Sequence, residues 1–468
     1  MTAQWQNPKD IHKRIIISGK LRTITPAHLG CGDSDSVLDM PLLRDPLEDR
    51  ALLTGATLAG GLRSYLVKNG KDKEARKLFG GVNDDTSFES PLIVDDSIGD
   101  ALQVEIRNGV AINPETRTAK EKQKYDYEMM PSGMTFPIAF ELIISKKDQD
   151  KEILKTLAFA LKGLQNGEIF LGKRKRRGFG ECQVSDWKYW SFDWNSTGML
   201  EWLNFNPLIT EPQSSGDSIE EVLSVNLDEV QNSSTRCRIE ATFSLLSSFL
   251  IRSSSISPGL KNVDSVYMKD DHGNPIITGT SLAGVFRGRV QRIANTLGRD
   301  GEQVAAQMFG DGGYVDSTGV NHRAKASRFW VKEAVIEENS HQDYIQTRVG
   351  IDRFTGGASE ARLFSEIPVW STPRTNVTLT FGMENPEPIE VGYMFLLLKD
   401  LWAGDLPIGG ESSIGRGRFM GKCATIEFGT DQWRLESEDE ASIRIISGDS
   451  AKFDELLKMV FANGGENE

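Results

Sequence analysis

The sequence encodes an α+β protein made of two tandem, homologous domains, and three observations carry that expectation. One phrase is written twice: Leu53-Thr54-Gly55-Ala56-Thr57-Leu58-Ala59-Gly60-Gly61-Leu62-Arg63 returns 224 residues later as Ile277-Thr278-Gly279-Thr280-Ser281-Leu282-Ala283-Gly284-Val285-Phe286-Arg287. Further landmarks recur in the same order, Leu78-Phe79-Gly80 as Met308-Phe309-Gly310, Arg107-Asn108-Gly109 as Arg348-Val349-Gly350, and Gly178-Phe179-Gly180 as Gly415-Arg416-Gly417, at offsets of 230, 241 and 237. Such drift is what insertions in loops produce. Finally, strand and helix periodicities follow one another in the same series in both halves. The expected limits are a first domain at 1–210, an acidic linker at 211–234, and a second domain at 235–468 with an acidic C-terminal segment.

In the first half, residues 14–26 open with Ile15-Ile16-Ile17 and then alternate, which predicts a strand. A loop rich in Gly, Asp and Ser leads to about residue 40. A helix capped by Thr57 or a neighbour then runs to about Lys68. Its early glycines are poor helix formers and imply that something approaches the backbone closely. Residues 100–130 are polar, with Arg117, Lys120, Lys122 and Lys124 ahead of Tyr125 and Tyr127, and predict an exposed insertion. Strand character returns at 135–144, and Leu154, Leu157, Leu161 and Leu164 mark one face of a helix. The glycine-bracketed run 172–180 and a last strand at 182–190 complete the half.

The second half repeats the series. It offers a strand at 237–250, a helix at 281–297, a polar insertion at 321–370 and a strand at 376–383. A helix marked by Met394, Leu397 and Leu401 follows, then a glycine-rich loop at 408–417 and a final strand at 423–428. Strand, helix, strands, helix, strand is the order of a ferredoxin-like, RRM-type domain.

Net charge is -13, which taken alone speaks against a polyanionic partner. Residues 211–234 hold six acidic side chains and no Lys or Arg, and residues 425–468 hold eleven acids against four bases, which accounts for the whole imbalance. The two repeat bodies are therefore neutral together, and local clustering decides what they bind. No apolar run is long enough for a signal peptide or a membrane span, so a cytoplasmic chain without a membrane partner is expected. Cys31, Cys182, Cys237 and Cys423 form no CxxC pair. Cys182 and Cys423 each follow a Gly-x-Gly and are expected as small buried residues of equivalent strands.

Glycine-rich turns that open helices are natural phosphate seats, which makes Gly55, Thr57, Gly279 and Ser281 candidates for binding a nucleic-acid backbone. Arg63 and Arg287, which close the repeated phrase, are counted with them. Five bases, Lys173-Arg174-Lys175-Arg176-Arg177, sit inside a glycine-bracketed loop, where Lys173, Arg174, Arg176 and Arg177 are the RNA-binding candidates. The matching loop carries Arg416 and Arg418, so the two sites differ in charge. The loop before each landmark helix supplies a recurring carboxylate, Asp39 and Asp264, at an offset of 225. Asp33, Asp35 and His28 have no counterparts at that register. A carboxylate beside a phosphate seat can orient an attacking hydroxyl or hold a hydrated divalent ion. No Ser-His-Asp arrangement, HExxH or Walker loop is present, and the five histidines are scattered.

The phrase Asp39-Met40-Pro41-Leu42-Leu43-Arg44-Asp45-Pro46, running into residues 53–63, together with the glycine-rich loops at 172–180 and 409–417, resembles the backbone RAMP subunit of type III CRISPR effector complexes. The tandem arrangement is similar to the double backbone subunits of type III-D-like effectors. The resemblance implies two ferredoxin-like palms that hold a guide CRISPR RNA, with thumb-like insertions from about 100–130 and 321–370. It implies that Asp39 and Asp264 cut a paired target RNA with a divalent cation, magnesium or manganese. It further implies neighbouring RAMP subunits and a large subunit as partners. Two departures stand out: Ala59 and Ala283 occupy places where the family often has Lys, and Leu250 and Arg252 replace the His28-x-Gly30 of the first repeat. A non-catalytic guide-binding scaffold and a guide-processing endoribonuclease remain as alternatives, the latter disfavoured because no histidine recurs.

Overall fold

A computed structural model describes residues 11–32, 39–83, 86–113, 116, 118–145, 150–227, 235–253, 263–315, 321–322, 324–337, 344–438 and 442–462. Asp33, Asp35, Arg117, residues 228–234 of the expected linker and residues 323 and 338–343 of the expected second insertion lie outside these. The chain forms two compact units, one of Met1–Glu105, Glu128–Lys175 and Phe179–Ser234, the other of Ile106–Tyr127, Arg176–Gly178 and Thr235–Glu468. Both mix α-helix with antiparallel sheet.

The sheet of the first unit runs in the order Ser214–Gly216, Cys182–Asp193, Ile11–Thr23, Thr135–Ser145, Leu92–Val94. Alternation sets its faces. Ile15, Ile17 and Leu21 of one strand and Phe136, Ile138, Phe140, Leu142 and Ile144 of its neighbour point to a single core. Helix Gly55–Lys68 covers that face with Leu58, Leu62 and Leu66, and helix Asp150–Gln165 with Leu157, Leu161 and Leu164. Each of these leucines is 0% exposed, and burying one contributes about 1.5–3 kcal/mol. Three of the four leucines of the stripe read from the sequence are thus buried, and Leu154 is half-buried. A shorter helix, Asp72–Phe79, stops at Gly80 with φ of 71°.

The second unit repeats the plan with additions. Its sheet runs Ile276–Ile277, Ala334–Glu337, Asn376–Glu384, Arg236–Leu245, Phe419–Phe428, Asp431–Ser437, Ile443–Ser447, and Phe329–Val331 also pairs with Asn376–Glu384. Helices Gly279–Thr296 and Pro388–Trp402 supply Leu282, Phe286 and Val290 and Met394, Leu397 and Leu401 to the core. Pro388 at the first helical position, with Glu387 and Glu390 closing a capping box, fixes where the second of these begins. Helix Gly301–Phe309 stops at Gly310 with φ of 74°, so the Phe-Gly landmark marks the same helix end in both repeats.

Three expectations need correction. Residues 211–227 are not a loose linker: Ser214–Gly216 pairs with Trp187–Tyr189, and Ile219, Val222, Leu223 and Leu227 enter the first core. Their apolar spacing outweighs the acidic composition. The two insertions are narrower than 100–130 and 321–370. Hairpins of Glu105–Ile112 with Ala119–Met129, and of Gln346–Ile351 with Ala358–Ile367, account for them, while Phe329, Trp330 and Val331 are buried in the main sheet. The first hairpin belongs mostly to the second unit, where buried Arg107 pairs with Glu333 at 2.7 Å. Lastly, Cys182 is buried but Cys423 is exposed, because a register shift opposite Thr242 and Phe243 skips Lys422 and turns Cys423 outward.

Candidate nucleic-acid interface

Asp39 is exposed at the end of its loop, and the residues after it are pinned from one side. The N–H of Glu128 donates to Met40 O (3.0 Å), the N–H of Leu42 donates to Glu128 Oε2 (2.8 Å), and Arg44 Nη2 donates to Glu128 Oε1 (3.1 Å). Glu128, 8% exposed at the end of the returning hairpin strand, therefore fixes the segment that carries Asp39. His28 Nδ1 lies 2.7 Å from Glu128 O, and since a carbonyl only accepts, the imidazole carries its proton on Nδ1. Burial pushes the His28 pKa below its ordinary value, and the charges of Lys173 and Arg174 push the same way against the Glu128 carbonyl. A neutral ring that donates from Nδ1 is thus a positioning group here. Lys173 N–H donates to His28 O (2.9 Å), which ties the basic loop to the same strand end.

Asp264 is also exposed, but it is held directly by its hairpin. Its N–H donates to Ser365 O (2.8 Å), and Ser365 N–H donates to Asp264 Oδ2 (2.7 Å). One carboxylate oxygen of the second aspartate is therefore engaged by backbone. Beside it, Ser265 Oγ donates to Glu366 Oε1 (3.4 Å), and Glu366, 1% exposed, is gripped by Arg252 at 2.8 Å, Arg348 and Arg416. Burial alone would raise the Glu366 pKa; the Arg252 hydrogen bond and the three cationic charges outweigh it and hold the carboxyl below its ordinary range.

The helix openings differ from a vacant phosphate seat. Thr54 Oγ1 accepts from Thr57 N–H (3.3 Å), Thr278 Oγ1 accepts from Ser281 N–H (3.4 Å), and Gly55 N–H donates to Asp96 Oδ1 (2.7 Å). In the first repeat a carboxylate of the chain itself takes the place expected for an anion. The glycines serve packing: a Cβ on Gly55 would lie 2.0 Å from Val94 O, and one on Gly279 2.0 Å from Arg177 O. Arg63 is exposed, whereas Arg287 is half-buried and donates to Gly310 O (2.6 Å).

In the basic loop Lys173, Lys175 and Arg177 are exposed and Arg174 and Arg176 half-buried, with Arg176 3.4 Å from Glu384. The second loop is different. Arg418 is exposed and donates to Gly404 O (3.2 Å). Arg416, counted from the sequence as an RNA-binding group, is 2% exposed and faces Glu411 (3.0 Å), Glu366 (3.4 Å) and Gln346. Its charge is spent inside the fold, and burial lowers its pKa. Glu128, Glu366, Glu411 and Asp96 went unnoticed in the sequence. Only Glu411 left a signal there, since it stands at the place of Arg174 when the two loops are matched at their common offset of 237.

Among the described residues no group of three His, Cys, Asp or Glu side chains gathers to hold a metal ion. Among the described residues, too, no helix is long and apolar enough to cross a membrane.

Three curated relatives resemble the chain over one repeat length. Proteins named CRISPR system Cms endoribonuclease Csm3 from Streptococcus thermophilus, Methanothermobacter thermautotrophicus and Mycobacterium tuberculosis are 25%, 26% and 25% identical to it. The matches cover 36%, 38% and 38% of this chain and 86%, 85% and 89% of those proteins. The model of the RAMP superfamily matches residues 20–183 and again residues 242–419. Two helices opened by the same phrase, two hairpins and two glycine loops fall within those matches: the chain belongs to the RAMP superfamily and carries its domain twice.

Proposed function

We propose that the chain is a double backbone subunit of a type III CRISPR effector, which holds guide RNA along both repeats and cuts the paired target RNA at Asp39 and Asp264. The observation that carries this reading is that each repeat presents an exposed aspartate from a loop fastened to the returning strand of its own hairpin, through Glu128 in one and Ser365 in the other. A carboxylate so fixed can accept a hydrogen bond from the hydroxyl that attacks the phosphodiester. The names of the three relatives support RNA cleavage. In each unit the sheet order is fourth strand, first, third, second around two helices, which supports ferredoxin-like palms with the hairpins as thumbs. The basic loop would track the guide backbone, neighbouring RAMP subunits and a large subunit would complete a cytoplasmic assembly, and magnesium or manganese would take its remaining ligands from RNA.

A second reading, a second repeat that only binds guide RNA, is favoured by the Ser365 N–H that already engages Asp264. The test is to assemble the complex with guide and labelled target and to map products for Asp39→Ala and Asp264→Ala. Each substitution is expected to lower the rate at one distinct cut by about 10²–10⁴-fold with target binding intact. An unchanged product ladder for Asp264→Ala alone would establish the second reading, and unchanged ladders for both would make the chain a scaffold. Cleavage of precursor guide by this chain alone would point to guide processing.

A further inference from the structure

The glycine-rich loops of the two repeats share one backbone and place opposite charges at one matched position, Arg174 and Glu411. Positive φ recurs at matched positions: 86° at Gly172 and 91° at Gly409, 59° at both Arg174 and Glu411, 85° at Gly178 and 88° at Gly415, 76° at Gly180 and 72° at Gly417. One 3-10 turn fills the same place in each, Lys175–Arg177 and Ser412–Ile414. Left-handed backbone is disfavoured for a residue with a Cβ, so its appearance at both an arginine and a glutamate marks a scaffold kept through the duplication while the side chain changed sign.

What Glu411 meets is a ring of arginines. Its carboxylate lies 3.0 Å from Arg416 Nη1 and 3.2 Å from Arg252 Nη2, and contacts Arg348 Nη2. Glu366 shares the same three partners, so three cations face two anions. The fit is incomplete: Arg348 Nε has no hydrogen-bond acceptor among the described residues, and Arg416 Nη1 meets Glu411 at ion-pair distance without hydrogen-bond geometry. Glu366 comes from a strand and is sealed in, whereas Glu411 comes from the loop, and Arg252 reaches solvent with its side chain 59% exposed. Guanidinium forks aimed at one point are the donor set of a phosphate site.

We infer that Arg252, Arg348 and Arg416 form a phosphate-binding seat in the second repeat and that Glu411 is its built-in occupant, which keeps it closed. The equivalent loop of the first repeat carries Arg174 instead, half-buried, with Lys173, Lys175 and Arg177 exposed around it. The two repeats therefore grip RNA phosphates unequally at this loop. That RNA is the polyanion concerned rests on the function proposed above; the seat itself does not.

Thermal unfolding of the full chain in sodium phosphate and in sodium chloride of equal ionic strength tests the seat without RNA. Glu411→Gln is expected to melt about 3 °C or more higher in phosphate than in chloride, with no such difference in the parent. Glu411→Gln combined with Arg252→Gln is expected to lose the gain. If Glu411→Gln is insoluble in chloride, recovery of folded protein in phosphate gives the same answer. A variant indifferent to phosphate, or a parent that responds as strongly as the variant, overturns the inference. With single-stranded RNA as probe, the variant is expected to show a salt slope steeper by about 0.7 than the parent. A phosphate response in a chain that binds no RNA would leave the seat standing and remove the function instead.

Discussion

Asp39 and Asp264 look interchangeable in the sequence, yet their surroundings separate them. The first is placed through Glu128, whose carboxylate takes Leu42 N–H at 2.8 Å and Arg44 at 3.1 Å; the second spends an oxygen on Ser365 N–H. Glu128→Ala would remove the acceptor of the buried Leu42 N–H and of Arg44 Nη2, while Arg44 Nη1 keeps Asp49, at a cost of about 1–3 kcal/mol. Urea unfolding of the parent and variant checks this. Glu128→Ala is expected to slow the cut proposed for Asp39 far more than the one proposed for Asp264. Equal slowing of both would show Glu128 to be structural only. Neither glutamate partnership could be read from the chain, because Glu128 and Leu42 stand 86 positions apart.

Helices were the best-read elements. Both helices of the repeated phrase exist but start earlier than expected, capped by Thr54 with Thr57 inside the first turn and by Thr278 ahead of Gly279, and the leucine stripe of 154–164 is buried at three of its four positions. Short helices such as Asp72–Phe79 and Gly301–Phe309 were missed, since two turns hold too few apolar residues to show a period. The hairpin base of the second repeat carries a pH dependence with a definite sign. Glu366 titrates below its ordinary value of 4.5 in the folded chain. Its contribution to stability is therefore complete above that value and is lost as pH falls through the folded pKa. Denaturant midpoints of the parent and of Glu366→Gln are expected to differ at pH 7 and to converge on acidification below about pH 4.5. A gap that stays constant would mean that the arginines do not depress Glu366.

Duplication is what made the molecule readable at all: four landmarks in one order gave two α+β units, and both exist. The acidic stretch 211–227 was misjudged because charge counting hid Ile219, Val222 and Leu223, and Arg416 because its partners Glu366 and Gln346 are remote in sequence. Charge is distributed unequally between the repeats as a result. Neutralising Lys173, Arg174, Arg176 and Arg177 is expected to weaken RNA binding and to flatten its dependence on salt, by up to about 3 in the log–log slope. Neutralising exposed Arg418 in the second loop is expected to move that slope by less than about 1. Titrations of RNA affinity against sodium chloride distinguish the two.

Beyond its fourth strand each sheet goes on, with Ser214–Gly216 in one unit and with Asp431–Ser437 and Ile443–Ser447 in the other. The border is thereby moved from long strands to short ones, three residues in Ser214–Gly216 and five in Ile443–Ser447. Copies of this protein thus find little edge to zip onto, strand to strand, on that flank. Removing the last two strands is expected to uncover the longer Phe419–Phe428 edge and to make the chain stick to itself.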